Sequence, residues 1–159
     1  MSGNLIENAV FTLLDLSHYS SNLPDVAKQR YLEKLSEIGC DCPYSIEHQL
    51  WVTSGIGLCK VLPDVTHYDS VYYLIFLKSA FTQEEMRNYK SCTAWKTLAC
   101  DGKFFGMAFL LLANSKVLVT ARVHHSMAVN LPPLKPWIVL NPDGTVLTSH
   151  CDCVAGYEL

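Results

Sequence analysis

The chain has 159 residues, half of them apolar and 17% charged, which suits one compact domain with a real core and excludes a disordered or low-complexity chain. A formal charge of −3, with 12 Lys and Arg scattered along the chain, excludes a basic patch that grips nucleic acid generally by counterion release. The longest apolar run, Phe104 to Ala113, is about half the roughly twenty residues a membrane-spanning helix needs, so no membrane partner is expected.

The start, Met1-Ser2-Gly3-Asn4, carries neither the basic n-region nor the apolar h-region of a signal peptide. Seven cysteines, an odd number, therefore read as reduced thiols or metal ligands of an intracellular protein, nuclear or cytoplasmic, and not as a disulfide framework. Between Asn4 and Leu16, Leu5, Ile6, Ala9, Val10, Leu13 and Leu14 repeat at helical spacing and predict a first helix. Ser17 to Leu23 is polar and turn-like. Pro24 and Asp25 then open a second helix, with Val26, Tyr31, Leu32, Leu35 and Ile38 as its apolar stripe and Gly39 as a left-handed stop.

Cys40-Asp41-Cys42-Pro43-Tyr44 follows at once. A Cys-x-Cys pair reads as half a metal site or as two loop cysteines beside a helix end; spacing alone does not bring it to another pair, so the loop reading is preferred. Ser45 to Asp64, with Gly55, Gly57 and Pro63, reads as a connector pinned to the core by Trp51. In Val65 to Ser79, the run Val71 to Leu77 suits either a buried strand or a buried helix, and a short helix is expected. Thr82-Gln83-Glu84-Glu85 is a capping box that starts a helix from Gln83 to Ala99, closed by Asp101-Gly102.

After that the period changes. Phe104 to Ala113 and Lys116 to His124, joined by Asn114-Ser115, read as a hairpin, and His125 to Pro133 as a loop. Pro136 to His150 reads as a second hairpin around Asn141-Pro142-Asp143-Gly144, where Pro142 sets φ and Gly144 accepts a positive one. The result is an α+β fold with N-terminal helices packed on a small antiparallel sheet of β-hairpins. It forms one compact unit, residues 1–135 carrying the helices and first hairpin and residues 136–159 the second.

The sharpest chemistry lies just beyond that hairpin, in Cys151 and Cys153. On an extended chain one intervening residue points both thiolates to the same side, where they can reach one zinc ion. Four ligands are needed, and the chain runs only six residues past Cys153, so this is half a site with a frayed tail expected after it. By the same alternation His150 points away from the metal side and serves as a polar cap or second-layer group. Cys40 and Cys42 would complete a four-thiolate site only if the fold brought them there.

His124-His125-Ser126 lacks the line of nucleophile, base and orienting group that catalysis requires, because adjacent residues on an extended chain face opposite ways. Cys59, Cys92 and Cys100 sit in apolar surroundings as small hydrophobes. Thiol redox chemistry at Cys151 and Cys153 is the weakest reading, since no cation or helix N-terminus stands beside them in sequence.

The segment Trp137 to Gly156, with Trp-Ile-Val, Asp-Gly-Thr-Val and His150-Cys151-Asp152-Cys153-Val154-Ala155-Gly156, resembles the front half of a SWIM-type zinc finger. It is most similar to the version in largely uncharacterised animal proteins that place this finger ahead of a YqaJ-like exonuclease domain. Upstream, Arg30 to Leu35, Pro43-Tyr44, Leu62 to Val65, Tyr73-Leu74, Phe81-Thr82, Tyr89 to Ser91 and His125-Ser126 follow the family's order, so the likeness runs from about Lys28 to Gly156. The family pattern is Cys-x-Cys, a spacer, then Cys-x-His, all four binding zinc. Its first half falls on Cys151 and Cys153; the second half and the nuclease domain have no counterpart here, and Cys42 stands where the family tends to have Asp before Pro-Tyr.

The resemblance implies a non-enzymatic, incomplete zinc-finger module, from a truncated product or incomplete gene model, acting in nucleic-acid or protein recognition. A homodimer sharing one zinc through Cys151 and Cys153 of each chain is a variant of it. The alternative is a metal-free α+β scaffold for protein interaction.

Overall fold

The structure, a computed structural model, describes residues 17–53, 61–66, 68, 69, 72, 73, 104–125 and 130–153. The helices expected over Asn4 to Leu16 and Gln83 to Ala99 lie outside them. So does most of the short helix expected within Val65 to Ser79, of which residues 68, 69, 72 and 73 are helical.

Helix α2 (Asp25–Ile38) begins after Pro24 and ends at Gly39, whose φ of 63° lets its amide bond the carbonyls of Leu35 and Ser36. Its buried face is Ala27, Tyr31, Leu35 and Ile38, the spacing of one stripe on a 3.6-residue period. Val26 was expected in that stripe but is 67% exposed. One position before Ala27, it is turned about 100° away from the core. The segment before α2 also differs from the turn expected there. Ser17 caps a single helical turn, α1 (His18–Ser21), by accepting the Ser20 amide on its hydroxyl at 3.1 Å.

Four strands form an antiparallel sheet in chain order: β1 (Phe104–Leu111), β2 (Val117–Val123), β3 (Trp137–Leu140) and β4 (Val146–His150). Both hairpins stand where the turn residues predict them. Asn114 and Ser115 take φ of 57° and 58° between β1 and β2. Between β3 and β4, the Asp143 carboxylate accepts the Thr145 amide and hydroxyl, and Gly144 has φ of 92°. A Cβ on Gly144 would lie 2.1 Å from the Asp64 carbonyl oxygen, so glycine here lets residues 61–66 rest on the turn. β2 pairs with β3, from Val117↔Leu140 to Thr120↔Trp137, so the two hairpins share one sheet.

The core forms where the inner sheet residues Leu118, Trp137 and Val139 meet Tyr31, Leu35 and Ile38 of α2. Trp51 packs against its edge, as expected, within a connector that makes two short 3-10 turns at Pro43–Ser45 and His48–Leu50. Val52 then pairs with Phe109 of β1. Among the described residues no helix is long and apolar enough to cross a membrane.

Candidate metal half-site

The site is placed by β4, whose residues alternate strictly: Val146, Thr148 and His150 are buried, and Leu147 and Ser149 half-buried. His150 thus turns inward, towards α1 and α2. Its ring lies 4.6 Å from that of Tyr31, with Tyr19, Tyr44 and Trp137 around it, and Nε2 hydrogen bonds the Tyr19 hydroxyl at 2.7 Å. Burial, reinforced by the Lys34 charge, pulls its pKa down to about 3. His150 is a neutral core residue that ties α1 to β4.

Strand geometry ends at His150, so the Cys-x-Cys does not continue the extended chain that the spacing argument assumed. Residues 151–153 bend, and the Cys153 amide approaches the Cys151 sulfur at 3.4 Å. A turn of this kind, and not strand alternation, brings the two thiols to one place. Asp152, between them, accepts the Lys135 amide on Oδ1 at 2.7 Å, which clamps the bend to the chain two residues before β3. Both thiols are half-buried. Burial first, and then Cys153, pushes the Cys151 thiol up from its ordinary pKa. The Tyr44 hydroxyl is buried with no hydrogen-bond partner among the described residues. Its pKa is raised first by burial and then by Asp152, with Cys151 adding a smaller push.

The other Cys-x-Cys is used differently. Cys42 is 6% exposed, and its sulfur lies 3.0 Å from both the Tyr31 hydroxyl and the Ser17 hydroxyl, binding α1, α2 and the connector together. Cys40 is half-buried, and its thiol is pushed up to about 11 by burial and then by Asp41 and Cys42. Among the described residues no three His, Cys, Asp or Glu side chains gather as a metal-holding group. Cys40 and Cys42 therefore do not join Cys151 and Cys153 in a four-thiolate site.

His124 packs on Phe105 with ring centres 4.9 Å apart, whereas His125 donates from Nε2 to the Pro132 carbonyl at 3.2 Å. The two rings are engaged separately; Ser126, Cys59, Cys92 and Cys100 lie outside the described residues. Nothing in the spacing of the chain marked the Asp152 clamp or Tyr44 as neighbours of the cysteines. An acid between two cysteines was the only hint.

As a zinc site the donors fit in kind and fall short in number. Two cysteine sulfurs held by one turn offer soft ligands, which bind metal as thiolates. Compared with models of protein families, with curated proteins and with solved structures, the chain finds no match in any of the three.

Proposed function

We propose that the chain is a non-enzymatic zinc-binding recognition module in which Cys151 and Cys153 supply two of four ligands. The single observation that carries this reading is the bend 151–153, pinned by the Asp152–Lys135 bond with the two sulfurs brought to one turn. Preorganisation of this kind cuts the ordering cost of ligation. The remaining ligands come from outside the described residues, as the Cys-x-His half of a SWIM-type finger, or as Cys151 and Cys153 of a second copy across a twofold axis. Bound zinc would cross-link the end of β4 to those ligands, making a rigid surface for protein or nucleic acid.

Zinc content per chain in reduced, purified protein, measured beside a Cys151→Ser, Cys153→Ser variant, tests this. Near-stoichiometric metal that the variant loses supports the reading, and native mass spectrometry then separates one zinc per chain from one per pair. No zinc in either protein refutes a site completed by this chain or by a second copy of it.

A second reading, a metal-free interaction scaffold, rests on a different observation. Phe105, Met107 and Leu111 of β1 and Val52, which pairs with that strand, are each more than a third exposed, and apolar side chains left in water along one rim of a sheet are candidates for contact with a partner. A folded, zinc-free protein that keeps a partner after loss of both cysteines would favour it.

A further inference from the structure

On the helix-bearing side of the sheet, a groove of about 220 Å³ runs between the connector and the first three strands. Tyr44, His48 and Trp51 line it from the connector, and Arg122 of β2 and Lys135, two residues before β3, line it from the sheet. Among the described residues that line it, none carries a carboxylate. Two acids stand beside it: Glu47 takes a hydrogen bond from Gln49, and the Asp152 carboxylate is occupied by the Lys135 backbone amide at 2.7 Å. A chain of net charge −3 thus brings a guanidinium, a lysine and an imidazole to one aromatic-sided cleft.

The cleft is shaped by backbone. The register of β1 against β2 shifts between Phe105 and Ala108, and Gly106 there has φ of 61°. A bulge of this kind re-aims the facing side chain. The facing residue is Arg122, whose methylene stem passes over Gly106: a Cβ on the glycine would sit 3.6 Å from it. Lys135 is held independently, its amide bound by Asp152.

We propose that this groove binds a small aromatic oxyanion, a ring bearing one phosphate or carboxylate, with the oxyanion on Arg122 and Lys135 and the ring against Trp51. The guanidinium fork suits either headgroup. The cavity exceeds the size of a bare phosphate, and its aromatic wall suits a flat apolar body. Two cations match one anionic group and fall short of the repeated contacts by which a nucleic-acid strand is gripped.

The test is a titration of the full chain followed by amide and indole resonances, with phenyl phosphate, phenylacetate, inorganic phosphate and neutral benzyl alcohol as probes. Saturable shifts at the Trp51 indole and the Lys135 amide are expected with at least one ring-bearing anion, and the tighter of the two identifies the headgroup. Arg122→Gln with Lys135→Gln should weaken that binding about tenfold or more. Both side chains are exposed, so the variant should melt as wild type does. Trp51→Ala should weaken the ring-bearing probe and leave inorganic phosphate unchanged. No saturable shift from either ring-bearing anion at millimolar concentration would overturn the proposal. So would equal binding of benzyl alcohol, or undiminished binding by the folded double variant.

Discussion

Lowering the pH from about 7 to about 5 removes stability through the His150 ring, which is 8% exposed and already committed as a neutral partner of the Tyr19 hydroxyl. Burial and the Lys34 charge take its pKa from 6.5 to about 3. Below pH 6.5 the unfolded chain therefore binds a proton that the folded chain refuses, and stability rises with pH across that window. The contribution is complete above the unfolded value, is lost progressively below it, and levels off only near the folded value. At about pH 5 the loss is about 2 kcal/mol, from 1.36 kcal/mol per unit over about 1.5 units. Urea unfolding of wild type and His150→Gln at the two pH values isolates the residue, because every other titrating group is common to both. Wild type should lose about 2 kcal/mol more than the variant. Equal losses, or a His150 ring that titrates near its ordinary pKa by NMR, would refute the reasoning.

Gly144→Ala places a methyl against the Asp64 carbonyl at a positive φ. The left-handed backbone alone costs about 1–2 kcal/mol, so thermal unfolding should fall by several degrees, and an unchanged melt would mean that residues 61–66 do not rest on this turn. Asp152→Ala releases the bend from Lys135 and should weaken zinc binding about 10- to 100-fold, read by competition with a chromophoric chelator; unchanged affinity would remove the clamp from the site. Tyr31→Phe takes one hydroxyl from the buried Cys42 sulfur while leaving Ser17 beside it. It should cost about 1 kcal/mol in urea unfolding, against about 2–5 kcal/mol for Leu35→Ala in the same core.

What could be read from the chain was what local chemistry decides. Pro24, Gly39, Asn114-Ser115 and Asn141 to Gly144 each act on their own backbone, and α2 and both hairpins fall where those residues put them. Val26 was misplaced because it is apolar and close to the stripe, whereas the smaller Ala27 has the right angle. The turn of α1 depends on one hydroxyl, which polar composition hid. Two Cys-x-Cys pairs spelled alike diverge because their partners are remote. Cys42 meets Tyr31 and Ser17, and Cys151 and Cys153 are set by an acid bonded to an amide 17 positions away. The groove is less legible still, since the connector and three strands each supply part of it and no one stretch shows its charge or its aromatic side.

The outer strands of the sheet are β1 and β4, and each is obstructed. Val52 exchanges two backbone hydrogen bonds with Phe109, at 2.9 and 3.0 Å, occupying the middle of β1's rim. On β4 the Ser149 carbonyl accepts from Lys34 Nζ at 3.2 Å, a cation whose burial already lowers its pKa. A strand arriving from another molecule would have to peel Val52 away on one rim or displace a partly desolvated ammonium on the other, and lysine at a rim is a recognised deterrent to edge-to-edge growth. Aggregation by templated strand addition is thereby disfavoured at both ends of the sheet. Association of this protein should run through its side chains and its cysteines and leave the backbone of the sheet out of it.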